Sequence, residues 1–109
     1  MGKETDRFMR LLVFFDLPVK KKKERKFATQ FRNFLLKDGF YMIQYSVYGR
    51  ICKGVDAAEK HAQRLKGYVP PKGSIRLMQV TDKQYSRMET LIGEEKNEEK
   101  LGNDQLLLF

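Results

Sequence analysis

The first candidate for chemistry in this sequence is a carboxylate at the end of an apolar run. Residues 9–18, MRLLVFFDLP, form an apolar stretch of β type that stops at Asp16 and Pro18. Read with a period of two, both faces of this run are largely apolar, which is typical of a central strand covered on both sides. Asp16 would then lie at the edge of the core, where its carboxylate can meet solvent, a metal ion or a phosphate.

The second candidate is a cluster of cations that follows this strand. Its members are Lys20, Lys21, Lys22, Lys23 and Arg25, and the four lysines form the lysine run (residues 20–23). The run falls at the start of a predicted helix, where the helix dipole disfavours positive charge. Because local stability does not explain it, we predict phosphate contacts there, with a solvated helix start as the alternative. Weaker candidates for phosphate contacts are Arg32, Arg50, Arg76 and Arg87.

Charge is divided unevenly along the chain, whose formal net charge is +8. Residues 1–93 carry 20 Lys and Arg against 9 Asp and Glu, whereas residues 94–109 carry 2 against 5. A basic body favours a polyanionic partner, because each phosphate that Lys or Arg neutralises releases counterions. A surface made cationic for solubility is the alternative.

Other residues that serve metal or nucleophilic sites are isolated in this sequence. His61 has no second His or Cys at ligand spacing, so we expect a partly exposed surface residue rather than a metal ligand. Cys52, the single cysteine, lies in a strand-like run and is expected to be a buried structural thiol. The remaining acidic residues considered are not spaced to join Asp16; they are Glu24, Asp38, Asp56, Asp82 and Glu89.

Apolar periodicity predicts the elements that position these residues. An aromatic stripe after residue 20 predicts a helix that ends at Gly39. Residues 40–52 are too many for one strand, so we predict two strands with a corner at Gln44 to Ser46. A second helix should begin at an N-cap, Asp56, and stop at Gly67. Residues 74–81 predict a strand, residues 82–87 a polar connection, and residues 88–93 a short extra strand.

This order predicts an α+β fold, a ferredoxin-like βαββαβ two-layer sandwich with an extra short C-terminal strand. Its two helices would cover one face of the sheet and leave the opposite face, with Leu12 and Phe14 beside Asp16, exposed. A twofold homodimer through that face would cover it and bring two copies of Asp16 towards one axis.

Three segments together resemble the CRISPR-associated Cas2 family, most closely its type II members. They are LVFFDLP in the first strand, GFYMIQYSVYGR after the first helix, and IRLMQVTDKQY at the closing strand. The match covers roughly residues 9–94, and its most specific parts are Asp-Leu-Pro and Gln-Tyr-Ser-Val. The resemblance implies a ferredoxin-like homodimer that binds duplex prespacer DNA and bridges dimers of the CRISPR integrase Cas1 during spacer acquisition.

The resemblance also implies a second activity, that of a magnesium-dependent endonuclease, a phosphodiester hydrolase acting on single-stranded RNA or double-stranded DNA. Asp16 falls on the family's proposed metal ligand and catalytic position, and its Mg²⁺ would lie between the two protomers. Family members often carry Tyr at the position of Phe15 and Arg at that of Met42. Both departures weaken a catalytic assignment, so scaffold and endonuclease stay as alternatives.

A third alternative is a free RNA-binding domain of the same fold. Exposed aromatics on adjacent central strands would then stack on bases. The residues available for this are Phe14, Tyr45 and Tyr48. They are more simply explained as core or dimer contacts.

Composition divides the chain into four parts: a polar leader at 1–8, the domain at 9–93, an acidic linker at 94–104 and an apolar segment at 105–109. The apolar segment contains Leu106, Leu107, Leu108 and Phe109. We expect it to dock on the integrase partner or the other protomer, with folding back onto its own domain as the alternative. Without a long apolar run or a secretory leader, the protein is expected to be cytoplasmic and not bound to a membrane.

Overall fold

The computed structural model describes residues 8–93. In chain order its elements are β1 Phe8–Asp16, α1 Lys22–Lys37, β2 Tyr41–Gln44, β3 Val47–Lys53, α2 Val55–Lys66, β4 Ser74–Thr81 and α3 Asp82–Ser86. The four strands form one antiparallel sheet in the order β2-β3-β1-β4. This is the βαββαβ fold that the sequence predicts. The predictions for residues 1–7, for the acidic linker and for the apolar segment fall outside the described residues.

Strand β1 lies at the centre of the sheet, as its two apolar faces predict. It pairs with β3 on one side and with β4 on the other, so that Leu11 lies between Arg50 and Gln79. Leu11 and Val13 are completely buried. The strand that carries Asp16 is therefore held on both edges by backbone hydrogen bonds.

The main core lies between the sheet and the two long helices. The odd-numbered side chains of β1 from Met9 to Phe15 pack there with Phe31 of α1 and Leu65 of α2. The rings of Phe15 and Phe31 meet edge to face with centroids 5.3 Å apart. Burying such side chains stabilises the fold by about 1.5–3 kcal/mol each. Since side chains alternate along a strand, Phe14 and Asp16 project from the opposite face.

That opposite face is less exposed than the sequence predicts, because Arg10 is completely buried on it and Leu12 is only 5% exposed. The guanidinium of Arg10 donates to Asp82 Oδ1 at 2.8 Å and to Tyr41 Oη at 2.6 Å. It also lies 4.2 Å from the centroid of the Tyr85 ring. Helix α3 thus covers one end of this face and leaves the Phe14 end open.

The predicted extra strand at residues 88–93 is wrong, because this segment contains no strand. A capping box starts α3 directly after β4: Thr81 Oγ1 accepts from the Gln84 backbone N–H at 3.0 Å, and Gln84 Oε1 accepts from the Thr81 N–H at 2.9 Å. The chain leaves the sheet at this helix. Leu91 and Ile92 beyond it are 90% and 93% exposed.

Two smaller predictions have different outcomes. The corner between β2 and β3 is confirmed at residues 45–46, where Ser46 takes a φ of 66°. Asp56 is not the N-cap of α2; Gly54, with a φ of 94°, holds that position and Asp56 lies in the first turn. The positive φ explains the difference, since it favours glycine over residues with a side chain.

Candidate nucleic-acid interface

Asp16 lies at the last position of β1, opposite Ser74 of β4. Its carboxylate is exposed and shares a shallow depression of about 300 Å³ with Phe14, Ser46 and Arg76, among other residues. The backbone N–H of Phe15 donates to the Ser46 carbonyl at 3.0 Å, which fixes the β2–β3 turn beside this end of the strand. Asp16 therefore presents an accessible carboxylate at a strand end that backbone hydrogen bonds hold in place.

The loop before β4 closes against the same strand end through Gly73. This residue has a φ of 110°, and a Cβ built on it would lie 2.8 Å from the Asp16 carbonyl oxygen and 2.8 Å from Leu17 Cδ2. Both the backbone conformation and the close approach require glycine. Gly73 thus lets the loop support the backbone of Asp16.

The oxygen donors near Asp16 fit a single Mg²⁺ and not a two-metal centre. Among residues 8–93 no group of three or more His, Cys, Asp and Glu side chains is arranged to hold a metal ion. In the depression the donor residues are Asp16, Ser46 and Ser74. Magnesium keeps several waters and is satisfied by one or two carboxylates with substrate phosphates, whereas two-metal hydrolysis uses several carboxylates. Asp16 is therefore the residue that would hold the ion.

The lysine run is exposed along its whole length, and α1 begins within it. Arg25 donates through Nη1 to the backbone carbonyls of Val19 at 3.1 Å and Lys20 at 2.8 Å, so it ties the lysine run to the helix. Lys26, which the sequence reasoning missed, lies on the same surface as Lys22 because the two are four residues apart on a helix. We call residues 20–23, Arg25 and Lys26 the basic surface.

The weaker arginine candidates do not come together. Arg50 is half-buried on the helix-covered face, where its Nη1 donates to the Asp38 carbonyl oxygen, and its phosphate contact stays a prediction. Arg76 is exposed in the Asp16 depression, Arg87 is exposed after α3, and Arg32 is half-buried on α1.

His61 is partly exposed, as the sequence predicts, and pairs with the buried carboxylate of Asp38. Its Nδ1 lies 2.9 Å from Asp38 Oδ2, and Arg64 donates to the other carboxylate oxygen. Burial alone would raise the pKa of Asp38, but the hydrogen bonds and charges of His61 and Arg64 outweigh burial and hold it below its ordinary value. Cys52 is buried as predicted, and this burial raises the pKa of its thiol.

Comparison with known proteins decides the family. The family model described as CRISPR associated protein Cas2 matches residues 9–88. The chain belongs to the Cas2 family. It is 54% identical over 102 residues to a "CRISPR-associated endoribonuclease Cas2" of Acidovorax ebreus (strain TPSY), covering 93% of this chain and all of that protein.

Further relatives carry the same description. A "CRISPR-associated endoribonuclease Cas2" of Campylobacter jejuni is 47% identical over 105 residues, covering 95% of this chain and 73% of the relative. A solved structure described as "Crystal structure of cas2" superposes with a TM-score of 0.56 at 20% identity, covering 83% of this chain and 92% of the other. That structural match supports the fold. In the described part of this Cas2 chain, no helix has the length and apolar character needed to cross a bilayer.

Proposed function

We propose that this Cas2 chain acts in CRISPR adaptation as a homodimeric scaffold that binds duplex DNA and bridges dimers of the integrase Cas1. The observation that carries the proposal is the basic surface. Within residues 8–93 no ion pair involves any of its six cations, so their charge is available to an external polyanion. Phosphate contacts of this kind position a protein on DNA without reading its sequence.

The open end of the sheet supports the homodimer. Phe14 is 37% exposed and Met78 is 51% exposed on the face that α1 and α2 do not cover. Exposed apolar surface is costly to leave in water. A twofold contact would bury this surface of one protomer against the same surface of the other. Two copies of Asp16 would then face each other. The apolar segment at residues 105–109, with its leucines and Phe109, is proposed to dock on Cas1 or on the other protomer.

An endoribonuclease is the second candidate, because the relatives from Acidovorax ebreus and Campylobacter jejuni are described as endoribonucleases. Asp16 would hold the metal, and Mg²⁺ when bound supplies a Lewis acid for a phosphate oxygen. Arg76 lines the same depression and offers a positive charge to the phosphate. Asp16 is the one carboxylate among the residues that line this depression, which makes this the less favoured function.

The salt dependence of DNA binding tests the scaffold proposal. Replacing Lys21, Lys22 and Lys23 by Ala should weaken binding to all duplexes alike and flatten the dependence of affinity on salt by about one unit of slope for each phosphate that the protein no longer neutralises. A matched control replaces Lys53, Lys60 and Lys66, which are exposed on β3 and α2, and removes the same charge. Equal salt slopes for the wild type and the Lys21–Lys23 variant would mean that the lysine run is only a solvated surface.

A further inference from the structure

A groove of about 260 Å³ lies between the start of α1 and the loop that precedes β4. Its walls are apolar and come from three parts of the chain: Pro18 after β1, Phe27 of α1, and Pro70 and Pro71 of the loop. Proline rings have a fixed backbone angle, and a Cβ on Gly73 would lie 3.2 Å from Pro18 Cδ, so the loop is packed tightly against the wall. The groove is therefore a preformed apolar surface.

Lysines surround this apolar groove. Lys21 and Lys23 border it from α1 and Lys72 borders it from the loop, and all three are exposed. Glu24 is the one carboxylate among the lining residues, and its Oε1 accepts a hydrogen bond from the Lys21 backbone N–H at 3.0 Å. Three ammonium groups against one carboxylate leave the groove with a net positive charge of two.

We infer that this groove binds one unpaired nucleotide of a single-stranded nucleic acid, with the base against the apolar walls and the neighbouring phosphates at the three lysines. A nucleotide combines a flat, largely apolar face with adjacent negative charge, which is the combination that the groove complements. A base inside a duplex is stacked between its neighbours and has no face to offer. Pockets for drug-sized ligands measure about 300–1,000 Å³, so this smaller volume suits a single base.

This site goes beyond the proposed duplex scaffold, although it rests on that proposal for the class of its partner. It is separate from the Asp16 depression, since the two share no lining residue. It does share Lys21 and Lys23 with the basic surface. A strand that leaves a duplex held on the basic surface would therefore reach the groove directly.

The test compares two short oligonucleotides of equal length: the intact one keeps a single central base among abasic positions, and the abasic one lacks that base too. Both carry the same phosphates, so an abasic position removes the base contact alone. Fluorescence anisotropy should show the abasic oligonucleotide binding the full-length protein at least fivefold more weakly. The groove contacts base and phosphate, so the same loss is expected for RNA and DNA versions. Equal affinity of intact and abasic oligonucleotides would overturn the inference.

Protein variants locate the effect in the groove. Pro71→Gly, at an exposed wall position, should remove most of the abasic penalty and leave duplex affinity unchanged. Lys72→Glu should weaken the intact oligonucleotide about tenfold, while Lys60→Glu, the same charge change on α2, should have a much smaller effect. If Pro71→Gly weakened duplex and single strand equally, the groove would have no preference for an unpaired base. An unchanged salt slope for duplex binding by the Lys21–Lys23 variant would contradict the duplex scaffold. The abasic penalty is measured on the wild-type protein with single strands, so that result would leave it in place.

Discussion

At the residue scale, Asp38 shows how one residue can hold several elements of the fold together. It follows the last residue of α1, and its side chain joins His61 and Arg64 of α2 while its carbonyl oxygen accepts from Arg50 of β3. Asp38 thus connects three elements through its carboxylate and its carbonyl oxygen. Arg50, which the sequence offers for a phosphate, and His61 both take part in this structural contact.

The lowered pKa of Asp38 predicts a pH-dependent contribution to stability. Its ordinary value is 3.8 and the folded value is lower, so the unfolded chain takes up the proton first. The contribution is therefore present above pH 3.8 and is lost as the pH falls through the folded pKa. Urea unfolding between pH 2 and 6 should show that Asp38→Asn destabilises the protein near neutrality and that this difference shrinks in acid.

The matched control for this experiment is Asp56→Asn, an exposed carboxylate in the first turn of α2. It shows what the loss of a surface carboxylate does without the His61 and Arg64 contacts. A stability difference between wild type and Asp38→Asn that stayed constant down to pH 2 would contradict the assignment.

At the scale of elements, the loop before β4 packs closely against the backbone of Asp16. Gly73→Ala would place a methyl group 2.8 Å from the Asp16 carbonyl oxygen, in addition to the strain of a positive φ. Gly54→Ala is the matched control, because its φ is also positive while no atom lies within 4 Å of the added carbon. Gly73→Ala should therefore lower the melting temperature more and move the amide NMR signals of Asp16 and Leu17. Equal losses for the two variants would leave only backbone strain and no support of Asp16 by the loop.

Local sequence patterns predict the helices and strands, whereas contacts between residues far apart in the chain cannot be read from these patterns. Strand β4 has the bounds that its apolar run indicates, and the β2–β3 turn falls where polar residues interrupt the run. Arg10, by contrast, is buried by Asp82, which is 72 residues away, and by Tyr41, which is 31 away. No periodicity in the sequence joins these residues. The extra strand was predicted because residues 88–93 look apolar, while the capping box at Thr81 that starts α3 went unnoticed.

The candidate site shows the same difference between residues that are marked locally in the sequence and residues that only folding brings together. Asp16 and the lysine run were found because each is marked locally, by a carboxylate after an apolar strand and by repeated cations. Lys72 and the groove walls were missed, since the groove forms only when residues 70–72 meet the start of α1 in the folded chain. The half-buried position of Arg50 likewise cannot be read from the sequence.

At the scale of the whole molecule, the proposed role of residues 105–109 can be tested by deletion. Removing them should leave the proposed dimer folded with nearly the same melting temperature, because the core between sheet and helices is unchanged. Binding to Cas1 should weaken tenfold or more, which corresponds to about 1.4 kcal/mol. A truncated protein that melted much earlier and bound Cas1 normally would place the segment in the domain's own core.

The most direct test of the scaffold proposal is spacer integration by a complex that carries Asp16→Asn. This exposed residue ends β1, so the substitution removes the carboxylate charge and leaves the sheet intact. Magnesium-dependent cleavage by the isolated variant should be lost, while integration by the assembled complex with Cas1 should stay close to the wild-type level. Gel filtration should show that the proposed dimer and its complex with Cas1 still form. Loss of integration in a fully assembled complex would contradict the scaffold account and show that the Asp16 carboxylate takes part in the reaction.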